Sequence, residues 1–347
     1  MTIRRMTIQE LANACGLSRN TVSKILNNRG SVPEPTKQAV LKKAQELGFF
    51  QPALESFVKP AHEHQSIALL ATSIPADSHF GVSFIPAFAG CLSRAGYTLV
   101  MYELTDEELR EKKLPENISL EQTAGIIAIE LFDREYMEML NGLGLPLLQV
   151  DDCSGAYTRV LETDRIIMEN FASSAIITKH MYSQGARSFG FVGDPHHCCS
   201  FQERWVAFEY TLWQLGKLRL DPSMCICDPD DSAYGDVAWI RSRLEAMPEL
   251  PDAFYCANDY LAIRVMSALK QMGISIPQRV MVAGFDGIPQ SVVVEPALTT
   301  AEISVAKMSR VAATMLLSRI QNPDGEFCCT YVKTTPVFRG STMRHPE

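Results

Sequence analysis

The chain has 347 residues, 46% of them hydrophobic and 21% charged, with a formal net charge of −8. That length exceeds one ordinary domain, and the hydrophobic share excludes a disordered chain. Charge is split unevenly: residues 1–60 carry a net +5 and residues 61–347 a net −13, which points the head, and not the body, toward a polyanion. The opening MTIRRMTIQELANAC is interrupted by Gln9, Glu10 and Asn13 before an apolar core could form, so no secretory leader is expected. No run of about 18 apolar residues suggests a membrane span, and the chain is expected to be cytoplasmic. The ten cysteines lie mostly in apolar runs and read as buried free thiols.

In chain order, the first element is a short helix. Thr7 and Glu10 form a capping box, and Ile8, Leu11, Ala12 and Cys15 share one apolar face. Gly16 breaks this helix and Leu17 plugs the turn. Ser18 caps a second helix from Arg19 to about Asn27, with Val22, Ile25 and Leu26 inward. A third helix fits 35–47, with Gly48 just beyond its end. Two short helices joined by a glycine turn and braced by a third form a DNA-binding unit, whose second helix enters the major groove. Arg19, Asn20 and Lys24 suit base edges there. Thr21, Ser23, Asn27 and Arg29 suit phosphates. Thr7, Leu17 and Ser18 at the entry and turn complete the candidate DNA-facing set.

The string TIQELANACGLSRNTVSKILNNRGSVPEPTKQAVLKKAQELGF resembles, without gaps, the head of the lactose-repressor (LacI/GalR) family. Thr7, Leu11, Ala12, Ala14, Gly16, Leu17, Ser18, Thr21, Val22, Ser23, Leu26, Asn27, Val32, Thr36, Val40, Leu47 and Gly48 carry the likeness. The resemblance implies that the next stretch is a hinge that folds on DNA and wedges an apolar side chain into the minor groove. Here residues 51–60 read QPALESFVKP, with Pro52, Glu55 and Ser56 departing from the family pattern. Leu54 or Val58 is the candidate wedge.

From Ser66 onward, short apolar runs alternate with helical patterns. Strands are expected at 67–71, 98–102, 125–129, 147–150, 188–192, 224–227, 253–256 and 281–284. Helices are expected at 84–94, 166–184, 202–216 and 259–272. This alternation predicts parallel sheets with helices on both faces, in two lobes with a ligand cleft beyond the carboxyl ends of the strands. The expected organisation is a head at 1–50, a linker at 51–65 and a body at 66–347. Lobe 1 spans about 66–162 plus 304–327, and lobe 2 about 163–303 plus 328–342. The body also resembles the family's effector domain, which is like the periplasmic sugar-binding proteins, through ANDYLAI from Ala257, GFDG from Gly284 and LTT from Leu298.

That resemblance implies cleft roles for Arg204 and Asp286, which suit hydroxyls and carboxylates. It adds Asn258, Phe80 as an aromatic platform, and Asp151, with Asp152 an equally near competitor. Asp259 reads as a cap for the next helix. The loop His196-His197-Cys198-Cys199 holds atoms that suit zinc or copper(I), although four consecutive residues wrap one ion poorly; it reads more simply as a loop shaping the pocket. No nucleophile elbow, phosphate loop or zinc-protease motif occurs, so neither an enzyme nor a cofactor or metal is expected. The expected function is a sequence-specific DNA-binding repressor controlled by a sugar-like effector and acting as a homodimer on a pseudo-palindrome. A metal- or redox-responsive regulator and a plain binding protein remain the alternatives.

Overall fold

A computed structural model describes residues 7–26, 32–46, 66–72, 80–155, 161–216 and 218–344. The chain divides into two units, 1–63 and 64–347. The candidate residues Asn27, Arg29, Leu54 and Val58 lie outside the described residues.

The first unit contains α1 (Ile8–Cys15), α2 (Arg19–Leu26) and α3 (Glu34–Glu46). Thr7 caps α1: the Glu10 N–H donates to its Oγ1 at 3.3 Å, and its own N–H donates to Glu10 Oε2 at 2.7 Å. Gly16 ends α1 with φ +65°, a left-handed conformation that glycine adopts without strain. Leu11, Ala12, Val22, Ile25, Val40 and Ala44 form the three-helix core.

The second unit is built around two parallel sheets. The larger contains β1 (Ser66–Ala71), β2 (Thr98–Glu103), β3 (Thr123–Ile129), β4 (Leu147–Val150), β5 (Asp164–Met168) and β10 (Cys329–Val332), in the order β10-β5-β4-β3-β1-β2. Side chains alternate strictly: Ile67, Leu69, Ile127 and Ile129 enter one core, and Ala68, Leu70, Ile126 and Ala128 the other. Both faces are therefore buried, as a parallel sheet requires. On one face α4 (Phe80–Arg94) packs against α12 (Val305–Gln321); α5 (Asp106–Glu111) and α6 (Arg134–Asn141) complete this lobe.

The smaller sheet contains β6 (Phe189–Val192), β7 (Ala253–Cys256) and β8 (Met281–Ala283), in that order. Around it lie α7 (Phe171–Ser183), α8 (Cys199–Gln214), α9 (Val237–Glu245), α10 (Asp259–Gln271) and α11 (Gln290–Val293). β9 (Thr300–Ile303) and β11 (Thr334–Val337) form an antiparallel ribbon.

Three expectations are corrected here. The helix expected at 166–184 starts only at Phe171, because Ile166–Met168 extends as β5 between β4 and β10. The strand expected at 224–227 reduces to one bridge at Ile226, since Pro222–Met224 winds as a 3-10 turn. The lobe boundaries shift with the pairing: β5 and β10, expected in lobe 2, belong to the six-stranded sheet. The chain therefore crosses between lobes after β5, between β9 and α12, and between β10 and β11.

Candidate nucleic-acid interface and effector cleft

The turn that positions α2 is Gly16-Leu17-Ser18. Leu17, one of the expected DNA-facing residues, instead packs half-buried against the three-helix core. Its apolar side chain gains more by closing the angle between α1 and α2 than by facing water. Ser18 Oγ accepts from the Thr21 N–H at 3.0 Å and lies 2.8 Å from Thr21 Oγ1, so these two hydroxyls hold the start of α2. Thr7 likewise spends its Oγ1 on the α1 cap. Arg19, Asn20 and Lys24 are exposed on α2, while Thr21 and Ser23 are half-buried. Three long polar side chains thus project from a helix whose opposite face is locked into a core.

In the second unit, the expected effector residues gather where strands end. Arg204, on α8, is 2% exposed. Its Nε donates to Asn170 Oδ1 at 2.9 Å and its Nη1 to the Ala257 carbonyl at 2.6 Å. Its guanidinium carbon stands 3.7 Å from the centre of the Phe285 ring, and its Nη2 lies 3.5 Å from Asp286 Oδ1. Asn170 completes the anchor by donating to Ser200 Oγ and Glu203 Oε2. Arg204 is thus a hub of lobe 2 whose free edge faces Asp286.

Asp286 has φ +111°, fixed by backbone bonds from its N–H to Ala301 and from the Ile303 N–H to its carbonyl. Its side chain is 10% exposed. Burial pushes its carboxyl up to about 6, against the opposing pull of Arg204 and with a further push from Asp151. Asp151 follows β4 with φ +66°, and its Oδ1 accepts the N–H groups of Asp152 at 2.8 Å and Ser200 at 3.1 Å. Burial raises its carboxyl as well. The competitor Asp152 is committed elsewhere, accepting from Gln149 and Cys153 and pairing with Arg165. Of the two, Asp151 is the one whose charge is felt by Asp286.

Asn258 takes the capping part expected of Asp259, and Asp259 takes a part expected of neither. Asn258 Oδ1 caps α10 by accepting the Leu261 N–H at 2.9 Å. Asp259 is wholly buried and tethers the 287–288 loop, accepting from Gly287 at 2.9 Å, Ile288 at 3.0 Å and Thr300 Oγ1 at 2.6 Å. The reason is geometric: Asn258 has the extended backbone of a cap. Phe80 opens α4 and rests on Phe84, ring centres 5.1 Å apart.

One cleft residue escaped the sequence reading. Glu130 follows β3 with φ +50°, accepts the Gly81 N–H at the start of α4, and feels the charges of Asp286, Asp151 and His197. Burial, then the repulsion of Asp286, lifts its carboxyl to about 7. A charge directly after the buried run AGIIAI was the available signal, since ligands gather beyond strand carboxyl ends.

The His-Cys loop disperses. Cys198 caps α8 by accepting the Phe201 N–H, Cys199 joins the lobe core and His196 is exposed. His197 reaches across to lobe 1, edge-on to Phe132 at 4.9 Å, while contacting Phe201 at 4.8 Å and pairing with Asp230 at 2.9 Å. Among the described residues, no group of three or more His, Cys, Asp or Glu could hold a metal, and no helix is long and apolar enough to cross a membrane.

Comparison with known proteins agrees with both parts. Residues 7–51 match the model described as bacterial regulatory proteins, lacI family, and residues 178–342 match the periplasmic binding protein-like domain. The chain is 25% identical over 323 residues to the HTH-type transcriptional repressor PurR of Haemophilus influenzae (strain PittEE), covering 92% of each. It is 26% identical over 343 residues to the ribose operon repressor of Halalkalibacterium halodurans, covering 97% of each. Among solved structures, a transcriptional regulator CelR–cellobiose complex superposes with TM-score 0.70 at 22% identity, over 97% of this chain and 100% of that one. A lac repressor dimer bound to operator and the anti-inducer ONPF gives 0.67 at 19%, over 98% and 100%.

Proposed function

We propose that the chain is a member of the lacI family of bacterial regulatory proteins, whose model its head matches, and that it represses transcription as a homodimer, reading a pseudo-palindromic operator through α2 and answering to a polyhydroxylated, sugar-like effector in the cleft of its second unit. Its relatives are named as transcriptional repressors, and solved structures of the same fold hold cellobiose in one case and an operator in another. In α2, Arg19 and Lys24 reach guanine O6 and N7, and Asn20 reaches adenine N6 and N7. Ser23 lies close enough to the same face for a phosphate. One head reads one half-site, so two copies are needed for a symmetric operator.

The observation that carries the effector reading is the Arg204–Asp286 pair. It is almost fully buried, Asp286 follows a strand, and the charges of Asp151 and Glu130 are felt beside it. Alternating fixed donors and acceptors beside aromatic rings recognise hydroxyls on an apolar carbon frame. Lobe closure on such a ligand is the two-state element that would alter operator affinity.

The test is a gel shift on the DNA upstream of its own gene, with and without a sugar panel, for wild type and Asp286→Asn. The reading expects a specific complex in both proteins and an effector response in wild type alone. A response retained in Asp286→Asn would displace the effector from this cleft. Attachment that is equal on every duplex would remove the operator-reading role.

A further inference from the structure

We propose that Cys225 and Cys227 form a modification site: a dithiol that a hydroperoxide converts into a reversible disulfide, with Cys225 as the attacking sulfur and Cys227 as the resolving one. The two residues flank Ile226, which extends the small sheet beyond β6. Ile226 pairs with Val192 in a parallel bridge. Its N–H donates to the Phe191 carbonyl and its own carbonyl accepts the Gly193 N–H, both at 2.9 Å. Its side chain is fully buried in the lobe core. Cys225 has the extended backbone of a strand, with φ −113° and ψ 153°. Alternate residues of an extended segment share a face, so the two thiols lie on the same side, opposite Ile226. Both are half-buried, not sealed in the core.

The two thiols hydrogen-bond one another, and their other contacts set the roles. Cys225 Sγ accepts the Phe191 N–H at 3.5 Å and, as a thiol, donates to the Asp221 carbonyl at 3.4 Å. The bond from Cys227 lowers the Cys225 thiol, against burial and the charges of Asp221 and Glu209. The same bond raises Cys227, as do burial and the nearby charges of Asp194 and Asp228. Cys225 is therefore the sulfur that ionises first, in contact with a thiol that can resolve it. The two other close cysteine pairs differ. Cys328 and Cys329 are consecutive on an extended segment beside β5, so their side chains point to opposite faces. Cys198 and Cys199 are both buried, one as the cap of α8 and the other in the core.

The chemistry balances in two steps. The Cys225 thiolate attacks the outer oxygen of the hydroperoxide; the O–O bond breaks, a sulfenic acid forms, and the departing oxygen takes up the proton that Cys225 released. The Cys227 sulfur then attacks the Cys225 sulfur; the S–O bond breaks, and hydroxide leaves with the Cys227 proton as water. Two thiols give up two electrons and two protons, and hydrogen peroxide is reduced to two waters, or an alkyl hydroperoxide to water and an alcohol. Alternate positions on a strand stand about 6.6 Å apart, close to the upper limit of about 6.8 Å for bridged Cα atoms. The bridge therefore closes under strain, and a strained disulfide is readily reduced, as a reversible modification requires.

The experiment treats the full, reduced chain with sub-millimolar hydrogen peroxide, blocks the remaining thiols with N-ethylmaleimide and maps the tryptic peptides by mass. Peptide 220–241 carries Cys225 and Cys227, and peptide 320–333 carries Cys328 and Cys329. In wild type, peptide 220–241 is expected to lose two hydrogens and both maleimide labels, and to regain both labels after millimolar reduced glutathione. Peptide 320–333 is expected to gain no internal bridge. Cys227→Ser should stop at a Cys225 sulfenic acid, trapped by dimedone, whereas Cys225→Ser should leave Cys227 open to maleimide. Both labels retained on peptide 220–241 in peroxide-treated wild type overturn the proposal. So does a bridge from either cysteine to another peptide, a bridge that glutathione leaves intact, or dimedone capture of Cys227 in Cys225→Ser as fast as that of Cys225 in Cys227→Ser. The wild-type map decides the pairing by itself if a variant fails to fold.

Discussion

Glu130, Asp151 and Asp286 share a backbone feature as well as a charge. Their φ values of +50°, +66° and +111° lie where residues with a β-carbon rarely sit. Such conformations cost about 1–3 kcal/mol each and persist where the surroundings hold them. Here those surroundings are strand ends, backbone bridges and the Arg204 hub. The hub changes what an arginine substitution reads: Arg204→Ala removes a buried partner of Asn170, Ala257 and Asp286. It should lower the stability of the second unit by about 3–5 kcal/mol, measured by urea unfolding, and it abolishes effector response through a loosened lobe. Glu130 gives a pH prediction. Its folded carboxyl is raised to about 7 by burial, so the folded state holds this proton more tightly than the unfolded chain does. Its contribution to stability is full below the unfolded value and is lost as pH rises toward 7. Glu130→Gln should therefore raise the melting temperature relative to wild type at pH 7.5 and change it little at pH 4.5, as followed by calorimetric melts.

At the scale of elements, the caps and the glycine turn of the head were legible in the sequence because they depend on residues three or four apart. Thr7 with Glu10, Gly16, and Ser18 before α2 formed as the local pattern required. Ser18→Ala should destabilise the start of α2 by about 1 kcal/mol and weaken operator binding in proportion. Lys24→Ala should relax sequence preference by about 1–3 kcal/mol at one base step while leaving general DNA attachment in place, as read by competition gel shifts with substituted operators. β5 was not legible. The run Ile166-Ile167-Met168 before Phe171 fits a helical face and a buried strand equally well, and only its place between β4 and β10 decides. Leu17 was ambiguous for a related reason: a turn residue faces DNA or the core according to how its flanking helices cross.

Over the whole molecule, the lobe boundaries follow from pairing between distant segments. Asp164, at the start of β5, is held by Arg319 of α12 at 2.7 Å and by the Cys328 N–H at 2.9 Å, which brings together parts of the chain more than 150 residues apart. Asp164→Ala should cost about 3–5 kcal/mol through the buried, unpaired guanidinium it leaves, visible as a lowered unfolding midpoint with the helical content of the head unchanged. The basic head on an acidic body predicts steep salt dependence of operator binding. A dimer with six phosphate contacts should lose about 10³-fold in affinity between 50 and 200 mM salt, as measured by fluorescence anisotropy. A shallow slope would mean that few of its basic residues reach the backbone.

The amino-acid sequence alone determined the three-helix head with its glycine turn and the alternation that builds two parallel sheets. Those features are written in short-range spacing, capping chemistry and local motifs. Tertiary structure decided which carboxylates meet: Asp151 rather than Asp152, Asn258 as a cap and Asp259 as a tether, and Glu130 as an unforeseen neighbour of Asp286. Strands adjacent in space are remote along the chain, and the charge a ligand meets is a sum over groups that only the folded sheet brings within a few ångströms of one another.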